Sequence, residues 1–209
     1  MLDYAITGAA TGSTRSNMTV SGGKTFNGQS GLIEFFQDQT TTYTAPAILA
    51  SAGTTPTQSR FYFSENGSVE TEFGGTVTTS VTVAGITVSG TTTVTYSPSV
   101  ADHRFTLAVG GSNTTTTTQS VTSVTNFGSS PATTSSETTT VTYVGQESIT
   151  IPAGTFTACK FSVVTSGGTQ TEWFGKGNGA PLQLTSKASD GTATLLSLTA
   201  ASRLNGAPL

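Results

Sequence analysis

One long hairpin, residues 69–96, constrains the fold of this chain more than any other feature. A tight turn at residues 83–86 brings apolar residues opposite one another on one side of the ribbon, whereas Thr, Ser and Glu72 fall on the other side. A slip of one residue would mix the two sets, so the hydrophobic pattern specifies the register. The expected pairs are Val83 with Ile86, Val81 with Val88, Val77 with Thr92, and Phe73 with Tyr96. The sequence therefore predicts an apolar packing or ligand face made of Phe73, Val81, Val83, Ile86, Val88 and Tyr96.

The rest of the chain repeats this alternation in segments separated by Gly, Ser, Asn and Asp turns. About a fifth of the residues are threonine, which is β-branched and favours extended backbone. The only stretch suited to a helical turn is 45–52, where flanking prolines keep it short. We predict one all-β domain over residues 1–209, an antiparallel meander of long hairpins that forms a curved sheet, a β-roll, or a sandwich-like or barrel-like domain. A Thr-rich insertion at residues 112–140 is the alternative for the middle of the chain.

A weak internal repeat supports the hairpin as the building unit. Thirteen-residue segments that begin at Phe61, Phe105 and Phe161 align without a gap and share a central glycine. Each segment predicts a strand, a turn and a returning strand.

The composition excludes some functional classes. Only 9% of the residues are charged and the formal net charge is −3, so the chain lacks the basic field that nucleic-acid binding requires. No apolar run approaches the ~18 residues of a spanning helix, and the first residues do not form a secretory signal in this numbering. We expect neither a nucleic-acid partner nor a transmembrane helix.

The last third of the chain carries a family likeness. Its elements are the stretch 147–160 (ESITIPAGTFTACK), then 171–174 (TEWF) and 179–184 (GAPLQL). This pattern resembles the C-terminal half of secreted proteobacterial β-proteins and lipoproteins, most of which have no assigned function. The resemblance implies a strongly curved antiparallel sheet, a location outside the cell or in the bacterial cell envelope, and no catalytic centre that transfers to this chain.

The residues offer little for catalysis. The single histidine, His103, has Asp102 and Arg104 as chain neighbours, but no Gly-x-Ser-x-Gly turn marks a nucleophile, so we interpret it as a loop residue. Glu70 and Glu72 form a carboxylate pair on one strand face, and Glu172 is adjacent to Trp173. Glycosidases use carboxylate pairs and aromatic rings of this kind, but such carboxylates on strand faces are more often solubilising groups. The single Cys159 lies in a strand pattern and is interpreted as a small buried hydrophobe, with a reactive thiol as the alternative. We expect no enzyme activity, no cofactor and no metal site.

The uncharged hydroxyl side of the ribbons suggests association. Sheets usually protect their edges with Lys, Pro or bulges, and this chain has only 8 Lys and Arg in total. We predict a structural or interaction protein of the cell surface or extracellular matrix. We expect it to self-assemble into filaments by strand pairing through residues 4–6 or 204–209, with polysaccharide or lipid as other partners. One alternative is an envelope carrier or binding module for a lipid or other hydrophobic ligand. An outer-membrane barrel also fits the strand lengths, although the ending Ala207-Pro208-Leu209 lacks an aromatic strand.

Overall fold

A computed structural model, which describes residues 1–51, 53–83 and 86–208, shows a closed antiparallel barrel of twelve strands. Each strand pairs with its neighbour in sequence, and the last strand returns to pair with the first. The prediction of an all-β antiparallel meander is confirmed. Of the shapes that the sequence left open, the structure has the barrel. The strands are β1 (Leu2–Gly8), β2 (Thr11–Phe26), β3 (Gln29–Ala45), β4 (Thr54–Asn66), β5 (Val69–Val83), β6 (Ile86–Asp102), β7 (Ser112–Thr125), β8 (Gly128–Ile151), β9 (Gly154–Thr165), β10 (Gly168–Gly175), β11 (Pro181–Ala188) and β12 (Ala193–Leu198).

Short elements lie at the ends of the barrel. A one-turn helix, α1 (Ala47–Ala50), lies in the β3–β4 connection, within the stretch where the sequence predicts helical structure. A 3₁₀ turn (Arg104–Thr106) lies in the β6–β7 connection, at the opposite end of the meander. A small hairpin of β13 (Arg203–Leu204) and β14 (Ala207–Pro208) follows the barrel. Among the described residues, no helix has the length and apolar character needed to span a membrane.

The β5–β6 hairpin has the predicted register at its far end and a different one at its base. Val81 pairs with Val88, Val77 with Thr92, and Val83 with Ile86, while the turn residues Ala84 and Gly85 lie outside the described residues. The predicted pair of Phe73 with Tyr96 is wrong, because the register shifts between Glu72 and Gly74.

A pair of glycines explains this shift. Gly74 has a φ of +129°, and a Cβ at this position would collide with the carbonyl oxygen of Val94. Opposite β4, Phe73 is the extra residue of a β-bulge, whereas opposite β6 the longer side of the shift is formed by residues 96–99. On β4, Phe61 pairs with Gly75 and Phe63 pairs with Glu72. Since Phe61 and Phe63 share a face, the bulge moves Glu72 from the predicted hydroxyl face to the face that carries Val77.

The Thr-rich stretch 112–140 forms β7 and the first half of β8 in the same ring of strands. Cross-strand hydroxyl pairs join the two strands, with Oγ1–Oγ1 distances of 2.9 Å for Thr114–Thr140 and 2.9 Å for Thr116–Thr138. The β-branched side chains thus extend the sheet with threonine in place of an apolar face.

The four Thr-rich strands project beyond their neighbours. The pairing of β4 with β5 stops at Thr57–Thr79, and the pairing of β8 with β9 stops at Thr140–Val164. We call the projecting part the wing; it comprises residues 80–83, 86–97, 118–125 and 128–139. Within the wing, β5 pairs only with β6 at residues 80–83, and β8 pairs only with β7 at residues 128–139.

The main apolar core lies on the opposite side of the ring, where the β8–β9 turn packs against the ends of β1 and β12. The backbone N–H of Ala153 donates to the carbonyl oxygen of Leu198 at 3.1 Å. The amino terminus of Met1 donates to the carbonyl oxygen of Arg203 at 3.0 Å, which joins the two ends of the chain. The buried members of this core are Leu2, Tyr4, Ile151, Ala158, Ala180, Leu182 and Leu198.

A second, aromatic cluster links the 3₁₀ turn to β8, β9 and β10. The buried Phe161 ring lies 5.0 Å from Tyr143, 6.0 Å from Phe174 and 5.8 Å from Phe105 between ring centroids. Phe105 does not begin a strand, so the predicted hairpin repeat is wrong for its middle copy and holds for the copies that begin at Phe61 and Phe161.

Candidate functional site

Six adjacent strands, from β10 through β12 and β1 to β3, line a half-open cavity of about 200 Å³. Alternate side chains along each strand point to one face of a sheet, and closure of the ring turns that face into a lumen. We call this space the apolar cavity. Its apolar lining comes from Tyr4, Met18, Trp173, Phe174, Pro181, Leu184 and Leu196.

A row of uncharged polar side chains from β2 and β3 also lines this cavity. The Gln37 Nε2 donates to Ser16 at 3.0 Å and to Gln39 Oε1 at 2.9 Å, and the Gln39 Nε2 donates to Thr41 at 3.0 Å. Thr14 and Thr41 share a further hydroxyl pair at 2.9 Å. Because these groups bond one another, the row is stable in the lumen without a charged partner.

The apolar cavity continues toward the end of the barrel that carries α1. A second space of about 430 Å³ shares Thr14, Gln39 and Leu196 with it as lining residues. Pro46 and Leu49 of the α1 segment form part of the wall of this second space. We call it the α1-end cavity; the other residues that line it are Ile6, Ala9, Ala10, Thr41, Tyr43, Thr192 and Thr194.

The Thr-rich strands line a half-open polar cavity of about 230 Å³. The lumen face of β5 to β8 places carboxylates, hydroxyls and amides around it, together with the apolar Val100, Ala101 and Val141. Its polar lining is contributed by Glu72, Tyr96, Asp102, Arg104, Asn113, Thr115, Thr117, Gln119, Glu137 and Thr139.

Arg104 bridges the lumen between the apolar and polar cavities. Its Nε donates to Asp102 on β6 at 2.6 Å, and its Nη1 donates to Glu172 on β10 at 2.6 Å. Because β6 and β10 lie four strands apart around the ring, the side chain reaches across the interior. Burial opposes the charge of Arg104, but Glu172 and Asp102 outweigh it, and the pKa of the guanidinium is raised. Glu172 lines the apolar cavity and Arg104 lines the polar one, so this ion pair forms part of the partition between them.

The bulge at Phe73 gives Glu72 an unusual environment. Burial is the largest cause, followed by the nearby charges of Glu70 and Asp102, and together they raise the pKa of Glu72 to about 7 against the opposing charge of Arg104. The pKa of Tyr96, in the same cavity, is raised to about 12 by burial and then by Glu72 and Glu137. The interpretation of the carboxylate pair as solubilising therefore applies to the exposed Glu70 and is wrong for the half-buried Glu72.

The predicted apolar face is divided among different surroundings. Val81 and Val88 line a shallow cavity of about 290 Å³ in the wing, and Ile86 is 62% exposed at its far end. Tyr96 lines the polar cavity, whereas Phe73 occupies the bulge opposite β4. The side chain of Val83 lies outside what the structure describes. None of these described residues lines the apolar cavity. The sequence does contain a signal for the shift in register: the adjacent Gly74 and Gly75, which mark a bulge within a strand pattern.

Glu172 and Trp173, which the sequence analysis compared with glycosidase residues, bind different partners. Glu172 binds Arg104, and the Trp173 Nε1 donates to Glu147 at 2.6 Å. His103 precedes the 3₁₀ turn, where its carbonyl oxygen accepts a bond from the Thr106 hydroxyl.

Cys159 is half-buried, and the Tyr143 hydroxyl donates to its Sγ at 3.8 Å. Within the part of the chain that the structure describes, no three His, Cys, Asp or Glu side chains are grouped as metal ligands.

Comparisons of the chain with models of protein families, with curated proteins and with solved structures give no match.

Proposed function

We propose that this barrel is a binding protein that holds a small apolar or amphiphilic molecule in its lumen. The observation that carries the proposal is the apolar cavity beside Trp173 and its continuation toward α1. Concave sites lined by apolar and aromatic side chains, with a few fixed polar groups, are the usual form of small-molecule sites.

The lining favours an uncharged apolar body over a charged ligand. Met18, Leu184 and Leu196 supply flexible and branched apolar contacts, while the Gln37–Gln39 row offers amide groups along one side. At about 430 Å³, the α1-end cavity alone lies within the roughly 300–1,000 Å³ range of small-molecule sites. A chain-like molecule with one polar group matches this shape, which favours the alternative considered from the sequence, a carrier for a hydrophobic ligand, although at a different site.

The test uses N-phenyl-1-naphthylamine, an uncharged apolar probe whose fluorescence increases in an apolar environment. We expect saturable binding and energy transfer from Trp173, the only tryptophan. The variant Leu196→Phe fills the space that the two cavities share and is expected to reduce binding at least tenfold. The adjacent Leu195 points to the other face and pairs with Thr185, so Leu195→Phe is the matched control and retains binding. Equal binding by both variants would refute the lumen as the site.

A second candidate function, self-association by strand pairing, is supported by the unpaired side of β8 in the wing. Residues 128–136 are exposed and bond to β7 on one side only. However, Pro131 and a register shift opposite this stretch are two features by which sheets protect their edges. The strand Tyr4–Ile6, expected to mediate such pairing, already has neighbours on both sides, and Leu204 pairs with Ala207. Leu209 lies outside the described residues.

Light scattering and negative-stain microscopy test this second candidate. If β8 edges pair, Thr134→Lys places a charge on the open side and abolishes assembly, whereas Thr150→Lys, on the part of β8 that pairs with β9, does not. Monomers at high concentration, or assembly that ignores Thr134→Lys, would exclude pairing through this edge. The extracellular or envelope location remains a prediction of the resemblance described above.

A further inference from the structure

We infer that the tip of the wing docks on the surface of a lipid bilayer by inserting a small apolar patch. The patch consists of the apolar side chains on both faces of the tip: Ile86 and Val88 lie on the face that carries Val81, Val124 lies on the opposite face with Thr91, and Phe127 lies in the β7–β8 turn; in this order they are 62%, 44%, 58% and 71% exposed. Docking goes beyond the proposed ligand binding, since it concerns a different surface and a different partner.

Hydrogen bonds hold the β7–β8 turn against β6 at the tip of the wing. The backbone N–H of Asn126 donates to the carbonyl oxygen of Ser89 at 3.0 Å, and its Nδ2 donates to that of Thr87 at 3.0 Å. The backbone N–H of Ser89 in turn donates to Asn126 Oδ1 at 3.2 Å. The β7–β8 turn is thereby fixed against β6, which places Phe127 close to the strand that carries Ile86 and Val88.

The charge pattern selects the kind of surface. Residues 73–101 and 105–136 contain no Asp, Glu, Lys or Arg, although the chain as a whole is acidic. Apart from Glu137, which lines the polar cavity, the wing carries no charged side chain, so its apolar tip has nothing to pair with anionic headgroups and loses little hydration energy when it enters a bilayer interface. The expected partner is therefore a zwitterionic bilayer, with binding that does not depend on salt.

The size of the patch favours a bilayer over a second copy of the chain. With aromatic side chains of roughly 150–250 Å² and smaller aliphatic ones, the exposed parts of the four residues total on the order of 400 Å². A stable protein interface buries about 800 Å² on each partner. Four side chains on a projecting tip fall short of that area, but each apolar group that enters a bilayer gains from leaving water independently of shape complementarity.

The position of the tip connects docking with the proposed ligand site. The β5–β6 and β7–β8 turns lie at the same end of the meander as α1 and the α1-end cavity. A barrel docked by its wing presents that end toward the bilayer, where an apolar ligand would be exchanged.

The test is co-flotation of the full chain with vesicles of pure phosphatidylcholine, and of phosphatidylcholine with phosphatidylserine, at low and high salt. We expect equal recovery on both vesicles and at both salt concentrations. The double variant Ile86→Thr/Phe127→Ser is expected to lower recovery at least tenfold. Val20→Thr, which changes a valine of β2 that is 65% exposed, is the control and retains binding.

Three outcomes would overturn the inference. They are no recovery with phosphatidylcholine, recovery that requires phosphatidylserine and disappears in salt, and a dimer in light scattering that the double variant dissociates. Binding of N-phenyl-1-naphthylamine by the same variants is measured separately, so a failure of docking is distinguishable from a failure of ligand binding.

Discussion

The two halves of the barrel use the same alternating pattern but differ in how deeply their inward side chains are buried. In the half formed by β9–β12 and β1–β3, the inward positions carry large apolar groups such as Leu198 and Leu182, both 0% exposed. In the half formed by β5–β8, many inward positions carry threonine, and its lumen is polar and partly open. Alternation therefore determines which face a residue occupies, whereas side-chain volume determines whether that face becomes a core.

The largest expected effect sharpens this comparison with the same substitution in both halves. Phe161, 1% exposed, contacts three other aromatic rings, so Phe161→Ala is expected to lower the free energy of unfolding by about 3–5 kcal/mol. Phe127, at the wing tip, is 71% exposed, and Phe127→Ala is expected to cost less than about 0.5 kcal/mol. Urea denaturation measures both values, and similar losses would show that the wing is as tightly packed as the core half.

The bulge at the base of the polar half is expected to be nearly as sensitive. Gly74→Ala forces a Cβ into the carbonyl of Val94 at a φ of +129°, which we expect to destabilise the protein by about 2–3 kcal/mol. Gly28 has a φ of +80° and open space around it. Gly28→Ala therefore measures the cost of the backbone conformation without a steric clash, and we expect it to destabilise the protein by about 1 kcal/mol. Equal losses in thermal unfolding would argue against the close approach at Gly74.

The ion pair between the halves tests whether they are coupled. Arg104→Met leaves Asp102 and Glu172 without their shared partner, and we expect a loss of about 2–3 kcal/mol. Glu172→Gln is the second arm of a double-mutant cycle, for which a coupling energy of about 1–2 kcal/mol is expected. Additive losses would mean that Arg104 does not link β6 to β10.

The pH dependence of stability tests the lumen position of Glu72. Its pKa in the folded protein is raised to about 7 by burial and neighbouring carboxylates, from an ordinary value of 4.5, so the folded state holds the proton more tightly than the unfolded state. The resulting stabilisation is complete below pH 4.5 and is lost as the pH rises through 7. At pH 8, Glu72→Gln is therefore expected to exceed the native protein in stability by about 2 kcal/mol, with the difference shrinking toward pH 5. Parallel urea midpoints from pH 5 to pH 8 would place Glu72 in water.

The smallest expected effect belongs to the hydroxyl pairs. Thr116→Ala removes one side of an exposed 2.9 Å contact with Thr138, and we expect a change below about 0.5 kcal/mol. A loss above 1 kcal/mol in urea denaturation would mean that the threonine pairs contribute more to stability than their exposure suggests.

The sequence predicts the strands well because their alternation and turn residues are local signals. The register of Val81 with Val88 and the successive hairpins from Glu147 onward are readable in this way. Closure of the ring is not readable, since the pairing of Tyr4 with Leu198 joins residues from opposite ends of the chain. The apolar cavity could not be predicted for the same reason: Met18, Trp173 and Leu196 lie far apart in sequence and meet only in the closed barrel. Phe105 is an error of the opposite kind. Its segment matches strand-forming segments locally, but Phe105 lies in a 3₁₀ turn and packs against Phe161.

Quenching of Trp173 fluorescence by 10-bromodecanol tests ligand binding in the lumen most directly, because a bromine atom quenches only at short range and Trp173 is the only tryptophan. We predict saturable quenching with one molecule per chain, lost in Leu196→Phe and kept in Leu195→Phe. Quenching that rises linearly without saturation, or that both variants share, would contradict a binding site inside the barrel.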